Sequence, residues 1–145
     1  MSADKDVAVK LEAIARDYGL AAVYVFGSRA GEIAALARGQ EIMTRSPRSD
    51  IDIGIQPGKH RPLSAEDRVK LTIEMEDLFD AKRVDLVILP EADPYLALDI
   101  IRGELLHCAD ADEEAEYELF VLRRAADLAP YAREKWREIL GGTGP

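Results

Sequence analysis

Residues 49–55 read Ser49-Asp50-Ile51-Asp52-Ile53-Gly54-Ile55. From Asp50 onward apolar and non-apolar residues alternate without a break, the period of a strand with one buried face. Ile51, Ile53 and Ile55 then turn to a core. Asp50 and Asp52, two residues apart, present two carboxylates side by side on the other face. Gln56-Pro57-Gly58 ends the strand. Like charges held this close raise each other's pKa unless a cation lies between them. Hard carboxylate oxygens suit Mg2+, which takes one or two carboxylates together with phosphate oxygens and water.

Two neighbouring stretches complete the pattern. Upstream, the apolar run Leu20-Ala-Ala-Val-Tyr-Val-Phe26 reads as a buried strand and stops at Gly27-Ser28. A glycine at a strand end lets the backbone come close to a ligand. A helix beginning near Ser28 would turn its free amides toward a phosphate, with Arg29 placed to meet phosphates or a partner. Ser49, beside the acid pair, joins Gly27, Ser28 and Arg29 as a candidate phosphate-contacting residue. Downstream, Arg83-Val-Asp-Leu-Val-Ile-Leu89 is a third strand, interrupted by Asp85 and stopped by Pro90. A lone buried carboxylate is costly. Asp85 makes sense if it faces Asp50 and Asp52 from a neighbouring strand, where it would help hold a metal or activate a nucleophile. The alternative is an edge-strand carboxylate turned to water.

The other elements follow from spacing. Val7, Leu11, Ile14 and Ala15 predict a helix over 4–18, closed by Gly19. Glu32 to Arg38 reads as a helical turn or two, and Arg45-Ser-Pro-Arg48 as loop. Ser64, with Asp67 nearby, starts a helix to residue 80 whose apolar stripe is Val69, Ile73, Met75, Leu78 and Phe79. Residues 93–103 form another helix, with Pro94 in its first turn, and Leu105-Leu106 a short strand. The acidic stretch 110–118 opens a helix running through Leu119, Leu122, Ala126 and Leu128. Pro130 is expected to kink or restart it, with Trp136 and Leu140 continuing the stripe. The expected fold is α/β (α+β): a small mixed sheet flanked by helices, with residues 1–108 as the core and 109–145 as a C-terminal helical extension of the same domain.

Composition sets outer bounds. A chain of 145 residues suits one domain, and its 48% apolar content can bury a real core. Lys and Arg number 19 against 28 Asp and Glu, a net charge of −9, which argues against sequence-blind binding to nucleic acid. One cysteine, Cys108, and two histidines, His60 and His107, exclude a disulfide framework, a cysteine cage and a multi-histidine metal site. Cys108 reads as a small half-buried residue and His60 as part of an exposed basic loop. There is no apolar run near the ~20 residues needed to span a bilayer, and no apolar stretch behind a basic start. A cytoplasmic location, away from any membrane, is therefore expected.

Gly27-Ser28, Asp50-Ile51-Asp52 and Asp85 together resemble the nucleotidyltransferase superfamily of the DNA polymerase beta type, and the short Gly-Ser-Arg-Ala opening looks like its minimal branch. Ile100-Ile-Arg-Gly-Glu-Leu-Leu106 and Tyr117-Glu-Leu-Phe-Val-Leu-Arg-Arg-Ala-Ala-Asp-Leu128 are similar to the tail of the MntA-type adenylyltransferase antitoxins. The resemblance covers roughly residues 20–140. It implies the nucleotidyltransferase fold and Mg2+-dependent transfer of AMP from ATP to a hydroxyl, that of a tyrosine in a partner HEPN-domain ribonuclease toxin, which is thereby neutralised. Asp50, Asp52 and Asp85 would be the catalytic and metal-holding acids, with ATP at Gly27-Ser28. The twenty-two positions from Ser28 to Asp50 exceed the usual spacing of this branch. The extra residues, about 34–47, would form a lid, a partner contact or an inert loop. Two rival expectations are an antitoxin that only binds, and a small-molecule transferase acting on an aminoglycoside-like acceptor. Tyr117, Phe120, Tyr131 and Trp136 are either core residues or interface anchors.

Overall fold

A computed structural model describes residues 3–39 and 50–140. Five helices and four strands alternate along them: α1 (Ala3–Asp17), β1 (Leu20–Phe26), α2 (Ala30–Ala37), β2 (Ile51–Pro57), α3 (Ala65–Phe79), β3 (Val84–Ile88), α4 (Pro94–Ile101), β4 (Glu104–Cys108) and α5 (Ala111–Leu140). A single 3-10 turn, Leu89–Glu91, links β3 to α4. The strands form one mixed sheet in the order β3-β2-β1-β4. β1 runs antiparallel to both β2 and β4, and β2 runs parallel to β3. The expected fold class is therefore the observed one.

Strand parity divides the core in two. Val23 and Val25 of β1, Ile51, Ile53 and Ile55 of β2, and Val84 and Ile88 of β3 share one face. They pack on Leu11 and Ala15 of α1, Ile33 of α2, and Leu71, Met75 and Phe79 of α3. The opposite face presents Ala22 and Tyr24 to Ala97 and Ile100 of α4 and Val121 of α5. The α4 contact needs Gly54, because a Cβ there would lie 2.3 Å from Cγ2 of Ile100. The parallel β2–β3 pair is joined through α3, as a crossover connection requires.

Several local expectations shift. α2 begins at Ala30 rather than near Glu32, so Gly31 lies inside it, and Ile33, Ala34, Leu36 and Ala37 are buried. The first residues assigned to the insertion thus belong to the core, while residues 40–47 of it, and the expected loop Arg45–Arg48, lie outside the described residues. Ser64 and Asp67 close the expected capping box of α3. The buried stripe of α3 is Leu71, Met75 and Phe79, however, and Val69 and Ile73 are exposed. In α5 the buried residues among those described are Glu114, Val121 and Ala125, while Leu119, Leu122, Ala126 and Leu128 face outward. Helical spacing fits either stripe, and the position of the sheet selects between them. α5 also continues through Pro130 to Leu140. The missing N–H would have bonded the carbonyl of Ala126, and the flanking residues 126–128 are exposed, so water can take up that carbonyl. Trp136 is exposed rather than part of a buried stripe. Among the described residues no helix is long and apolar enough to cross a membrane.

A polar clasp ties α5 to the sheet. The buried Tyr24 hydroxyl donates to Glu114, ninety positions away. Glu118 hydrogen-bonds Glu114 in turn. That bond, burial and the neighbouring charge push the Glu118 carboxyl up to about 7 from 4.5. The folded state then holds this proton up to about pH 7, whereas the unfolded chain releases it near 4.5. The contribution is complete below about pH 4.5 and is lost as pH rises through 7. Glu118→Gln is therefore expected to flatten part of the fall in melting temperature between about pH 5 and pH 8. Thermal melts of both proteins across that range check it. Parallel pH profiles would contradict the shared proton.

Candidate active site

The sheet register brings the two acidic strands together. Asp52 and Asp85 are Cα partners across the parallel β2–β3 pair, about 4.8 Å apart in the hydrogen-bonding direction. Both side chains share the sheet face of Tyr24 and Gly54 by parity. Phe26, the last residue of β1, sits opposite Asp52 on the other side. Asp50 stands just before β2 and is exposed. The three acids picked out by their spacing therefore converge at one end of the sheet.

Gly27 lies against this group. Its φ is +81°, and a Cβ built on it would lie 2.4 Å from Oδ2 of Asp52. The glycine is required twice, for the left-handed turn and for the close approach. Exposed Ser28 follows, and the amide of Ala30 returns to the Gly27 carbonyl at 3.2 Å to start α2. No side chain caps α2 at its N-terminus, unlike α3, capped by Ser64, and α4, capped by Asp93. The next two amides of that turn, those of Gly31 and Glu32, remain available to a phosphate oxygen beside Gly27-Ser28. Arg29 is 6% exposed and donates through Nε and Nη2 to Glu32, at 3.2 and 3.1 Å. Its charge is thus engaged within the first turn of α2. Ser49 lies outside the described residues.

The electrostatics are those of an acid cluster that one arginine neutralises only in part. Burial, then Asp85, then Asp50 raise the Asp52 carboxyl above its usual range. Arg83 supplies a counter-charge, its Nε 3.0 Å from Oδ1 of Asp85 and 3.9 Å from Oδ2 of Asp50. Sequence reasoning passed over Arg83, although its place two residues before Asp85 was the available signal. Among the described residues no three His, Cys, Asp or Glu side chains form a ready-made metal cage. That arrangement still fits Mg2+, which binds through one or two carboxylates and completes its shell with substrate phosphates and water. The crowded charge on Asp52 is what such a cation relieves.

Two clefts flank the acids. One, of about 430 Å³, opens beside Gly27 between the first turn of α2 and the α4–β4 turn. Arg102 is the only cation among its described lining residues, and spacing alone did not single it out. The other, of about 540 Å³, begins at Asp85 and follows the outer edge of β3.

Comparison with known proteins bears on the family and the fold. A family model described as "Polymerase beta, Nucleotidyltransferase" covers residues 9–112. No curated protein matches the chain by sequence. Among solved structures, a chain of a toxin–antitoxin complex with AMP-PNP superimposes with a TM-score of 0.67 at 21% identity, covering 92% of this chain and 98% of that one. A chain from the MntA–HepT toxin–antitoxin complex gives 0.64 at 19%, covering 94% and 98%. A third, from a complex of the tri-AMPylated Shewanella oneidensis HEPN toxin with MNT antitoxin, gives 0.65 at 19%, with coverage of 94% and 98%. At these identities the likeness establishes a shared fold.

Proposed function

The chain belongs to the polymerase beta nucleotidyltransferase family, and on that premise we propose that it is an antitoxin-type adenylyltransferase, moving AMP from ATP to a tyrosine hydroxyl of a partner HEPN-domain toxin. One observation carries this reading. Asp52 and Asp85 pair across β2 and β3, and Gly27 is pressed onto the Asp52 carboxylate. A phosphate-binding turn and an acid pair at that separation are what nucleotidyl transfer needs. The structural neighbours that carry AMP-PNP or an AMPylated HEPN toxin support the choice of nucleotide and partner.

In this mechanism the triphosphate lies along Gly27-Ser28 and the first turn of α2, with Arg102 on the rim of the same cleft. Arg29 holds that turn in shape through Glu32. Asp50 and Asp52, with Asp85, would hold Mg2+, which when bound would polarise the α-phosphate and offset the charge of the leaving group. Asp85 stands on the side away from Gly27 and takes the proton of the incoming hydroxyl. A tyrosine hydroxyl with a pKa near ~10 needs such help. Its oxygen bonds to the α-phosphorus, the bond from that phosphorus to the bridging oxygen breaks, and pyrophosphate leaves. Arg83 must release Asp85 as the substrates arrive.

Intact-mass spectrometry of a HEPN-domain partner after incubation with this protein, ATP and Mg2+ tests the proposal. An AMP-sized gain, absent with the Asp50→Ala/Asp52→Ala variant, is expected. A stable complex that silences the ribonuclease without any mass change would replace transfer by simple binding.

A further inference from the structure

We propose that the free edge of β3 is the docking strand for the acceptor, taking an extended, basic, hydroxyl-bearing segment of the partner polypeptide. The inference rests on the transferase reading above and specifies how its acceptor is held. Among the described residues β3 is the outer strand of the sheet, with β2 on one side only. The Ile51 amide bonds the Arg83 carbonyl at 3.1 Å, and Ile51 pairs with Val84. In a parallel ladder this register turns the backbone groups of Arg83, Asp85 and Val87 toward β2. Those of Val84, Leu86 and Ile88 turn outward. The Val84 amide is taken by Oε2 of Glu76 at 3.1 Å, which closes one end of the edge. The Ile88 carbonyl is taken by the 3-10 turn that follows, so the Val84 carbonyl, both groups of Leu86 and the Ile88 amide remain outward along the groove.

A row of alternating donors and acceptors recognises an extended peptide and neither a nucleotide nor a helix. Natural edge strands are usually blunted with lysines, prolines or bulges. Between Val84 and Ile88 the only charge is Asp85, a residue of the site itself. The groove is walled by Val69 and Thr72 of α3 and Leu96 of α4, a surface for alternate side chains of an added strand. Its described lining carries three carboxylates, Asp85, Glu91 and Asp93, against one guanidinium, Arg68, and Arg68 already forks onto Glu91. The complementary occupant is therefore basic. The groove is also continuous with the acid cluster. A residue paired beside Asp85 on an added strand shares its sheet face, with Cβ atoms about 5 Å apart, so its hydroxyl is delivered to the acid side. This explains why an acid that activates the acceptor stands on an edge strand.

Residue-resolved amide exchange tests the docking independently of chemistry. On adding the HEPN-domain partner, the Leu86 and Ile88 amides are expected to slow at least tenfold, while those facing β2 change little. No protection at Leu86 or Ile88 in the bound state overturns the proposal. Val69→Glu, at an exposed wall position, and Leu86→Pro, which removes an outward donor, are expected to raise KM for the partner at least tenfold. Affinity for AMP-PNP should stay within twofold. An unchanged KM in both variants overturns the docking model as well. Protection of these amides without any AMP transfer would instead retire the transferase reading and leave the docking strand standing.

Discussion

Asp52→Asn is expected to abolish AMP transfer and at the same time raise the melting temperature. Asp52 is a group whose folded pKa lies above its unfolded value of 3.8, through burial and through Asp85 and Asp50. The folded protein therefore holds its proton more tightly than the unfolded chain does. Stability falls as pH rises from below 3.8 through the raised folded value, and at neutral pH the ionised carboxylate opposes folding. An isosteric amide removes that repulsion. It also removes the charge that holds the cation and the nucleotide, a loss expected at about 10³-fold or more in rate, roughly 4 kcal/mol. Each kcal/mol of relieved repulsion raises the melting temperature by roughly 2–4 °C. Transfer assays and thermal melts near pH 7 check both halves. At about pH 3, below the unfolded value, the difference in melting temperature should vanish. A variant that melts lower than the parent at neutral pH would mean that Asp52 is a structural residue.

Gly27→Ala moves both quantities downward. A side chain at φ +81° is strained by roughly 1–3 kcal/mol. Its Cβ also meets the Asp52 carboxylate at 2.4 Å, and something must move. The turn and Asp52 belong to the same site, so displacement of either by about 1 Å costs on the order of 10²-fold in rate. The expected signature is lower activity with a lower melting temperature, opposite in stability to Asp52→Asn. Gly31, with nothing within 4 Å of a built Cβ, is the control. Gly31→Ala, inside α2, should melt as high as the parent or slightly higher, so that a fall in melting temperature is specific to Gly27.

The strands that build the site were legible because a period of two leaves little choice. Ile51, Ile53 and Ile55 all turn to the buried face, which places Asp50 and Asp52 on the other. That Asp85 would meet them was conditional on strand adjacency, and nothing local encodes the order β3-β2-β1-β4. The helices show the opposite weakness. Val69 and Ile73 fit a helical stripe as well as Leu71, Met75 and Phe79 do, and only the position of the sheet decides. The same ambiguity exchanged Leu122 for Val121 and Ala125 on α5. The Tyr24–Glu114 clasp joins residues ninety positions apart and has no local signature. Arg29 illustrates a different limit: its sequence neighbours place it near a phosphate turn, but the capture of its guanidinium by Glu32 is a matter of rotamers.

The exposed apolar face of α5 has meaning only in this context. Phe120, Leu128, Tyr131, Trp136 and Ile139 are all exposed, most of them beyond the point where α5 leaves the core. Aromatic side chains so arranged are common interface anchors, in keeping with a partner-binding protein.

The most direct test of transfer through Asp50, Asp52 and Asp85 is to follow the label from ATP carrying radioactive phosphorus at either the α or the γ position. With Mg2+ and a HEPN-domain partner, the α-label is expected to become covalently attached to the partner and the γ-label to leave as pyrophosphate. Asp52→Asn should attach neither. Incorporation of the γ-label, or α-labelling that survives loss of Asp52, would contradict the account.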